Sequence, residues 1–400
     1  MKSPNHPLLD PIRLGDVDLP NRIVMASMTR ARTDNPGFVP NELQARYYAQ
    51  RASAGLILTE GTWPSREGVG FINVPGLYTQ EQADGWRLVT DAVHEAGGHI
   101  FVQLGHIGSS SHPDLLDGAL PLAPSAVNPG LKAYTPSGFQ DTVTPQAMDL
   151  SDIARTVEDY AKASRLAQAA GFDGVELHGI STYLIPTFLY VGLNQRTDDY
   201  GGTAENRARF PLEILDALVD SWAPGRVGIK LSPALTGVGN FIADAETLET
   251  FEYLVGQLSK RHLAYLHLMN PISDLTGTQV EILGPGVAKH FRPLYSGSLI
   301  ANGGYTFETG NALVRDGFAD AVAFGAPFIS NPDLVERFSN DLKLTPSNPD
   351  TYYSGGAAGY VDYPTAAEQV GARQAVNYFS SSGSGEFSSP PLPDGTGLKR

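Results

Sequence analysis

The sequence predicts an α/β fold: an eight-stranded parallel (β/α)8 barrel of the TIM type, with an amino-terminal hairpin and an excursion after the third strand. Three observations predict it. Eight short apolar runs recur along the chain: RIVMAS (22–27), GLILTEG (55–61), HIFVQLGH (99–106), GVELHG (174–179), VGIKLS (227–232), AYLHLMN (264–270), LIANGG (299–304) and AVAFGA (321–326). The runs are continuous rather than alternating, as strands buried on both faces require, and helical patterns between them supply parallel crossovers. They end in polar or glycine residues. Such a barrel carries its chemistry at the carboxyl ends of its strands, where Gln103, His178, Lys230, Gly303, Gly304 and Gly325 fall.

The elements follow in order. PIRLGDVDLP reads as a hairpin turned at Gly15-Asp16, placed to plug the amino-terminal end of the barrel. Over 80–97, Trp86, Val89 and Val93 keep helical spacing, and Gly97 and Gly98 stop the run. Residues 107–150 are rich in Pro, Gly and Ser and form a lid or specificity excursion above the site. Over 151–170, Ser151 is the expected N-cap, Ile153, Val157, Tyr160 and Ala161 the apolar stripe, and Gly171 the stop. Further helices are expected over 204–221, 244–261, 277–291, 307–317 and 330–342. Residues 1–378 are read as one domain, and 379–400, low in large apolar residues, as a disordered tail.

Composition narrows the function. A 400-residue chain with 42% hydrophobic and 18% charged residues can bury a large core. A net charge of −15 argues against nucleic acid and anionic membranes and for small-molecule chemistry. With no cysteine, disulfides, thiolate catalysis and cysteine-built metal sites are excluded, and no HExxH spacing offers a metal site. MKSPNHPLLD has no apolar h-region and no run reaches membrane-span length, so a cytoplasmic enzyme, monomer or homodimer, is expected.

NRIVMASMTRART (21–33), YYAQRASAGLILTEGT (47–62), FVQLGHIG (101–108), GVELHG with Tyr183, RTDDYGGTAENR (196–207), FGAPFISNPDLVERF (324–338), DTYY and GYVDYPT together resemble the old yellow enzyme family. The resemblance runs in one order from about Leu8 to Ala366. It implies an FMN-containing ene-reductase that reduces alkenes activated by a carbonyl or nitro group, with NADPH or NADH as hydride donor.

On that resemblance, Thr29 is expected to donate to flavin O4, Gly61 to bring backbone close to the ring, and Gln103 to meet the pyrimidine edge with both donor and acceptor. Read alone, Thr29 and Gln103 are ordinary strand-end hydrogen-bonding residues. Lys230 stands where the family commonly has arginine; it keeps the charge near N1 and O2 but loses the bidentate fork. His178 is expected to bond the substrate's carbonyl oxygen and Tyr183 to deliver a proton to the α-carbon. The second oxyanion donor, asparagine or histidine in most members, is here Ser181, and loss of one good donor costs roughly a hundredfold in rate.

Two further departures bear on the site. Gly303, Gly304 and Gly325 offer backbone N–H groups to the phosphate, but Ala326 replaces the family's arginine, a charge-assisted contact of roughly 1.5–3 kcal/mol. FMN affinity is therefore expected about ten- to a hundredfold weaker unless another cation, such as Lys289, His290 or Arg292, substitutes. Gly105 stands where many members have tryptophan and is expected to open the cavity, leaving Phe71 and Tyr353 as wall. The reading is a ping-pong ene-reductase for a bulky or biosynthetic substrate. Its alternatives are a redox-neutral isomerase or cyclase in the same cavity, and a non-catalytic binding protein.

Overall fold

The computed structural model describes residues 6–370. After a 3-10 turn at Pro7–Leu9, β1 (Ile12–Leu14) and β2 (Val17–Leu19) pair antiparallel, Ile12 opposite Leu19. The barrel follows: β3 (Ile23–Met25), β4 (Leu56–Thr62) and β5 (Ile100–Leu104), then, after an excursion, five more strands. In the excursion β6 (Leu122–Ala123) pairs with β9 (Gln146–Ala147), and β7 (Lys132–Thr135) with β8 (Gly138–Asp141). Strands β10 (Gly174–Gly179), β11 (Val227–Leu231), β12 (Tyr265–Met269), β13 (Leu299–Asn302) and β14 (Ala321–Phe324) complete a closed, all-parallel ring in which β14 pairs with β3.

The hairpin plugs the amino-terminal end, as its sequence predicts. Leu14, Val17 and Leu19 pack into one buried cluster with Val24, Leu56, Leu58, Phe101, Tyr265, Ile300 and Ala321 from the barrel strands. The Asp16 N–H fastens the turn to the Gly225 carbonyl, 3.0 Å away. Burial of three such side chains contributes roughly 1.5–3 kcal/mol each.

The crossovers are α1 (Glu42–Ala49), α2 (Gln80–Glu95), α3 (Leu150–Ala169), α4 (Leu184–Leu189), α5 (Ala204–Ser221), α6 (Ala245–Leu258), α7 (Val287–Phe291), α8 (Phe307–Arg315), α9 (Ala326–Ser330) and α10 (Leu334–Ser339). Trp86, Val89 and Val93 of α2 are fully buried, and Gly97 stops the chain at φ +78°. Three expectations are corrected. The N-cap of α3 is Asp149: its carboxylate accepts the Asp152 N–H, the Asp152 side chain accepts the Asp149 N–H, and Ser151 only donates its hydroxyl to Asp149. The helix expected over 277–291 shrinks to α7 because Gly284, Pro285 and Gly286, the last at φ +135°, break it. The helix expected over 330–342 is cut to α10, because Asn331-Pro332 separates it from α9, which ends at Ser330.

Residues up to Tyr363 form one compact unit and Pro364 opens a second. Within the second, Thr365 starts a turn of helix by exchanging hydrogen bonds with Glu368. The expected domain end at 378 and the tail 379–400 lie outside the described residues. Among the described residues no helix is long and apolar enough to cross a membrane.

Candidate active site

Inside the carboxyl end of the barrel the lining turns polar. Alternation along β10 puts Glu176 and His178 on the same face. The register sets Glu176 beside Gln103 of β5, His178 beside Lys230 of β11, and Lys230 beside His267 of β12. All five are buried. Ser27 Oγ donates to Gln103 Oε1 at 2.7 Å, Gln103 Nε2 donates to Glu176 Oε1 at 2.6 Å, and His267 Nδ1 lies 2.8 Å from Glu176 Oε2. Burial pushes the Glu176 carboxyl up, but His267, Lys230 and Gln103 together bring it below its ordinary range. Burial alone drives the Lys230 ammonium down, and Glu176 opposes it.

His178 and Tyr183 stand above this layer as a stacked pair, ring centroids 4.0 Å apart and 19° from parallel. Burial, reinforced by the Lys230 charge, pushes His178 down to about 3, so its imidazole is neutral at physiological pH. Its Nδ1 is buried without a partner. Burial pushes the Tyr183 phenol above its ordinary value, keeping it protonated. The space that Gly105 was expected to open is taken by this pair: a Cβ on Gly105 would lie 3.1 Å from His178 Cβ and 3.4 Å from the Tyr183 ring. With no side chain at 105, the rings pack onto the backbone instead of leaving a gap.

Ser181 follows His178 by three residues. Held at φ +60°, it donates its N–H to Ser232 Oγ at 3.1 Å and lines a cavity of about 160 Å³ with Ser232, Leu235, Met269, Asn270 and Ile272. Open space therefore lies beside Ser181.

Thr29 is half-buried in the segment after β3, and Gly61 sits on β4 across a register shift, where a Cβ would come 3.6 Å from Gln103 Oε1. Glu60, which the sequence reading did not single out, anchors the Thr29 segment. Its Oε2 accepts the N–H groups of Arg30 and Ala31 at 3.0 and 3.1 Å, while its Oε1 has no partner. Burial holds its carboxyl up at about 7 despite those two bonds. Arg30 and Arg32 in turn bind carbonyls of Thr351, Tyr352, Gly356 and Gly359. The loop so held presents Tyr353, 54% exposed, to Phe71 at 5.8 Å, and Phe71 also meets Tyr134 of β7 at 5.1 Å. Phe71 and Tyr353 are thus brought together, as one aromatic roof with the excursion.

At the ends of β13 and β14, Gly303 and Gly304 take φ +99° and +79°, and Gly325 precedes the exposed Ala326. The three basic residues near in sequence are engaged elsewhere. Arg292 pairs with Asp320, just before β14 at the amino end, Lys289 lies over Phe318, and His290 bonds Glu252.

Residues 7–345 match the NADH:flavin oxidoreductase / NADH oxidase family. The chain belongs to that family. It is 40% identical over 390 residues to the flavin oxidoreductase hxnT of Emericella nidulans, covering 91% of this chain and 99% of the relative. It is also 40% identical to a probable flavin mononucleotide-dependent alkene reductase of Leishmania infantum, covering 89% and 97%. Morphinone reductase in complex with tetrahydroNAD superposes with a TM-score of 0.83 at 43% identity, covering 90% and 97%. The protein is an old yellow enzyme homologue, an oxidoreductase whose cofactor is FMN and whose hydride donor is a nicotinamide nucleotide.

The residues fit such a cofactor. Buried polar atoms without partners, Nδ1 of His178 and Nε2 of His267, lie beside the Lys230 ammonium and the Gln103 amide. A planar heterocycle edged with both donors and acceptors suits that set; an apolar ligand would leave it unsatisfied. Ser27, Glu60, Glu176 and His267 were missed, although a signal existed: Glu176 and His267 are polar residues inside apolar runs, as Gln103 and Lys230 are.

Proposed function

We propose that this protein reduces the C=C bond of an α,β-unsaturated carbonyl compound, one with apolar bulk. The single observation that carries the reading is the His178–Tyr183 stack at the carboxyl end of β10, a neutral donor and a protonated phenol 4.0 Å apart. FMN, when bound, would supply the hydride chemistry between the nicotinamide nucleotide and the alkene. Thr29, Gly61, Gln103 and Lys230 would hold its ring, and the backbone of Gly303, Gly304, Gly325 and Ala326 its phosphate.

His178 donates a hydrogen bond to the carbonyl oxygen, where negative charge grows, and its neutrality means that the bond needs no proton taken from solvent. Ser181 is the second, shorter donor. Tyr183 delivers the proton to the α-carbon, which its raised pKa permits at any physiological pH. Phe71 and Tyr353 cover the ligand, and the cavity beside Ser181 takes a substituent that a small enone lacks. Gly105 contributes by letting the two rings sit close to the backbone.

The relatives named as alkene reductase and morphinone reductase favour this reading. The exposed Ala326 is the observation that favours a redox-neutral isomerase or cyclase. Purified protein whose flavin absorbance is bleached by NADPH and restored by an enone supports the reductase; colourless protein that will not take up FMN selects the alternative. Turnover of cyclohexenone as fast as any bulkier enone would remove the size assignment alone.

A further inference from the structure

A carboxylate and an imidazole lie beneath the site with no task in the scheme above. Glu176 and His267 are 0% exposed. A carboxylate so placed is costly unless it is both hydrogen-bonded and charge-paired. Glu176 is both. Gln103 Nε2 and His267 Nδ1 reach its two oxygens at 2.6 and 2.8 Å, and Lys230 stands one strand away. Lys230 is faced by Glu176 and His178 from β10 and by His267 from β12. The two imidazoles are neutral, pushed down by burial to about 3 and about 4, so Glu176 is the anion in this group.

An ionised carboxylate only accepts hydrogen bonds. Gln103 must therefore turn its amide nitrogen to Glu176 and its carbonyl to Ser27, whose hydroxyl donates to it. That fixes what the amide has left for a ligand, one N–H and one lone pair. We propose that Glu176, backed by His267, is the positioning residue of the cofactor's pyrimidine edge: it sets the Gln103 amide and is the counter-charge that keeps Lys230 cationic in a closed site. The proposal rests on the reading that Gln103 and Lys230 face that edge.

Glu176→Gln tests the charge by itself. The new amide oxygen still accepts from Gln103, and its nitrogen donates to His267 Nδ1 once the imidazole proton moves to Nε2, which has no partner now. The bonds survive and the charge does not. Lys230 then releases its proton while the flavin is oxidised and regains one on reduction. In the holoenzyme, the midpoint potential of Glu176→Gln falls more steeply with pH than the parent's. The excess is one proton per two electrons, about 30 mV per pH unit. Adding Lys230→Met returns the parent slope, because the titrating group is gone.

Apoprotein melting gives a second readout that needs no flavin. Glu176→Gln and Lys230→Met each strand a buried partner, so each lowers the melting temperature by more than the double substitution does. A parent slope in Glu176→Gln, or melting shifts that add, overturns the proposal, and the melting cycle decides it should the holoenzyme variant not form. A different failure marks the underlying reading. If Lys230→Met leaves FMN affinity and potential at parent values, the edge assignment falls and Glu176 keeps only a structural charge pair.

Discussion

The two ends of the barrel are closed in opposite ways. At the amino end Leu14, Val17 and Leu19 fill the cylinder with side chains that ask nothing of their neighbours but contact. At the carboxyl end the same strands present Gln103, Glu176, His178, Lys230 and His267, buried almost as deeply, and two of their nitrogens lack partners. The first arrangement is complete in itself. The second is complete only with something bound, since buried polar groups are ordinarily satisfied and the exceptions call for a reason. The strands supply one rigid frame; stability is gathered at one end and unmet hydrogen-bonding capacity at the other.

Four substitutions or conditions break or sharpen that contrast. His178→Ala removes the donor to the carbonyl and should lower kcat/KM for an enone about a hundred- to a thousandfold, with little change in melting temperature. Steady-state kinetics beside a melting curve check both halves. Leu14→Ala should do the reverse, costing about 3 kcal/mol of stability by denaturant titration while activity persists below the transition. Equal loss of activity in both variants would mean that the ends are not separable. Ala326→Arg should tighten FMN about ten- to a hundredfold, read by titrating apoprotein with the cofactor; unchanged affinity would show that the phosphate lies elsewhere.

The smallest effect is in pH. His178, His106 and His267 are held at about 3, 3 and 4 in the fold by burial, against an unfolded value near 6.5. The unfolded chain therefore binds more protons than the folded one as pH falls below about 6.5, so stability is lost in that direction. Each imidazole costs about 1.4 kcal/mol at pH 5.5. Glu60, raised to about 7, acts in the other sense: its contribution is best at low pH and is lost as pH rises through 7. Denaturant midpoints of His178→Asn across pH 5 to 8 should show less acid sensitivity than the parent.

The strands were legible because each run is continuously apolar and ends in a polar residue, and the same pattern exposed Gln103, His178 and Lys230. Helices with full stripes were legible too, α5 to the residue. Short ones were not: α4 and α9 span six and five residues, too few for a period to register. α1 is longer but has a weak apolar stripe, and its start is set by an Asn41–Gln44 capping box. The Glu176–His267 and Glu60–Ala31 contacts were illegible for a different reason, since each joins segments far apart in sequence, 91 residues in the first case. That His178 and Tyr183 come to lie against Gly105 was not legible either, since which neighbours approach a glycine is decided by packing.

Arg30 and Arg32 lie just past the first barrel strand, yet carbonyls that receive them belong to residues 351–359. The segment carrying Thr29 is thus pinned from one side by Glu60 and from the other by carbonyls as much as 329 residues further along the chain. One strip of the mouth therefore hangs on a distant loop: cutting away residues 351–359 would leave every barrel strand in place and that rim unfastened.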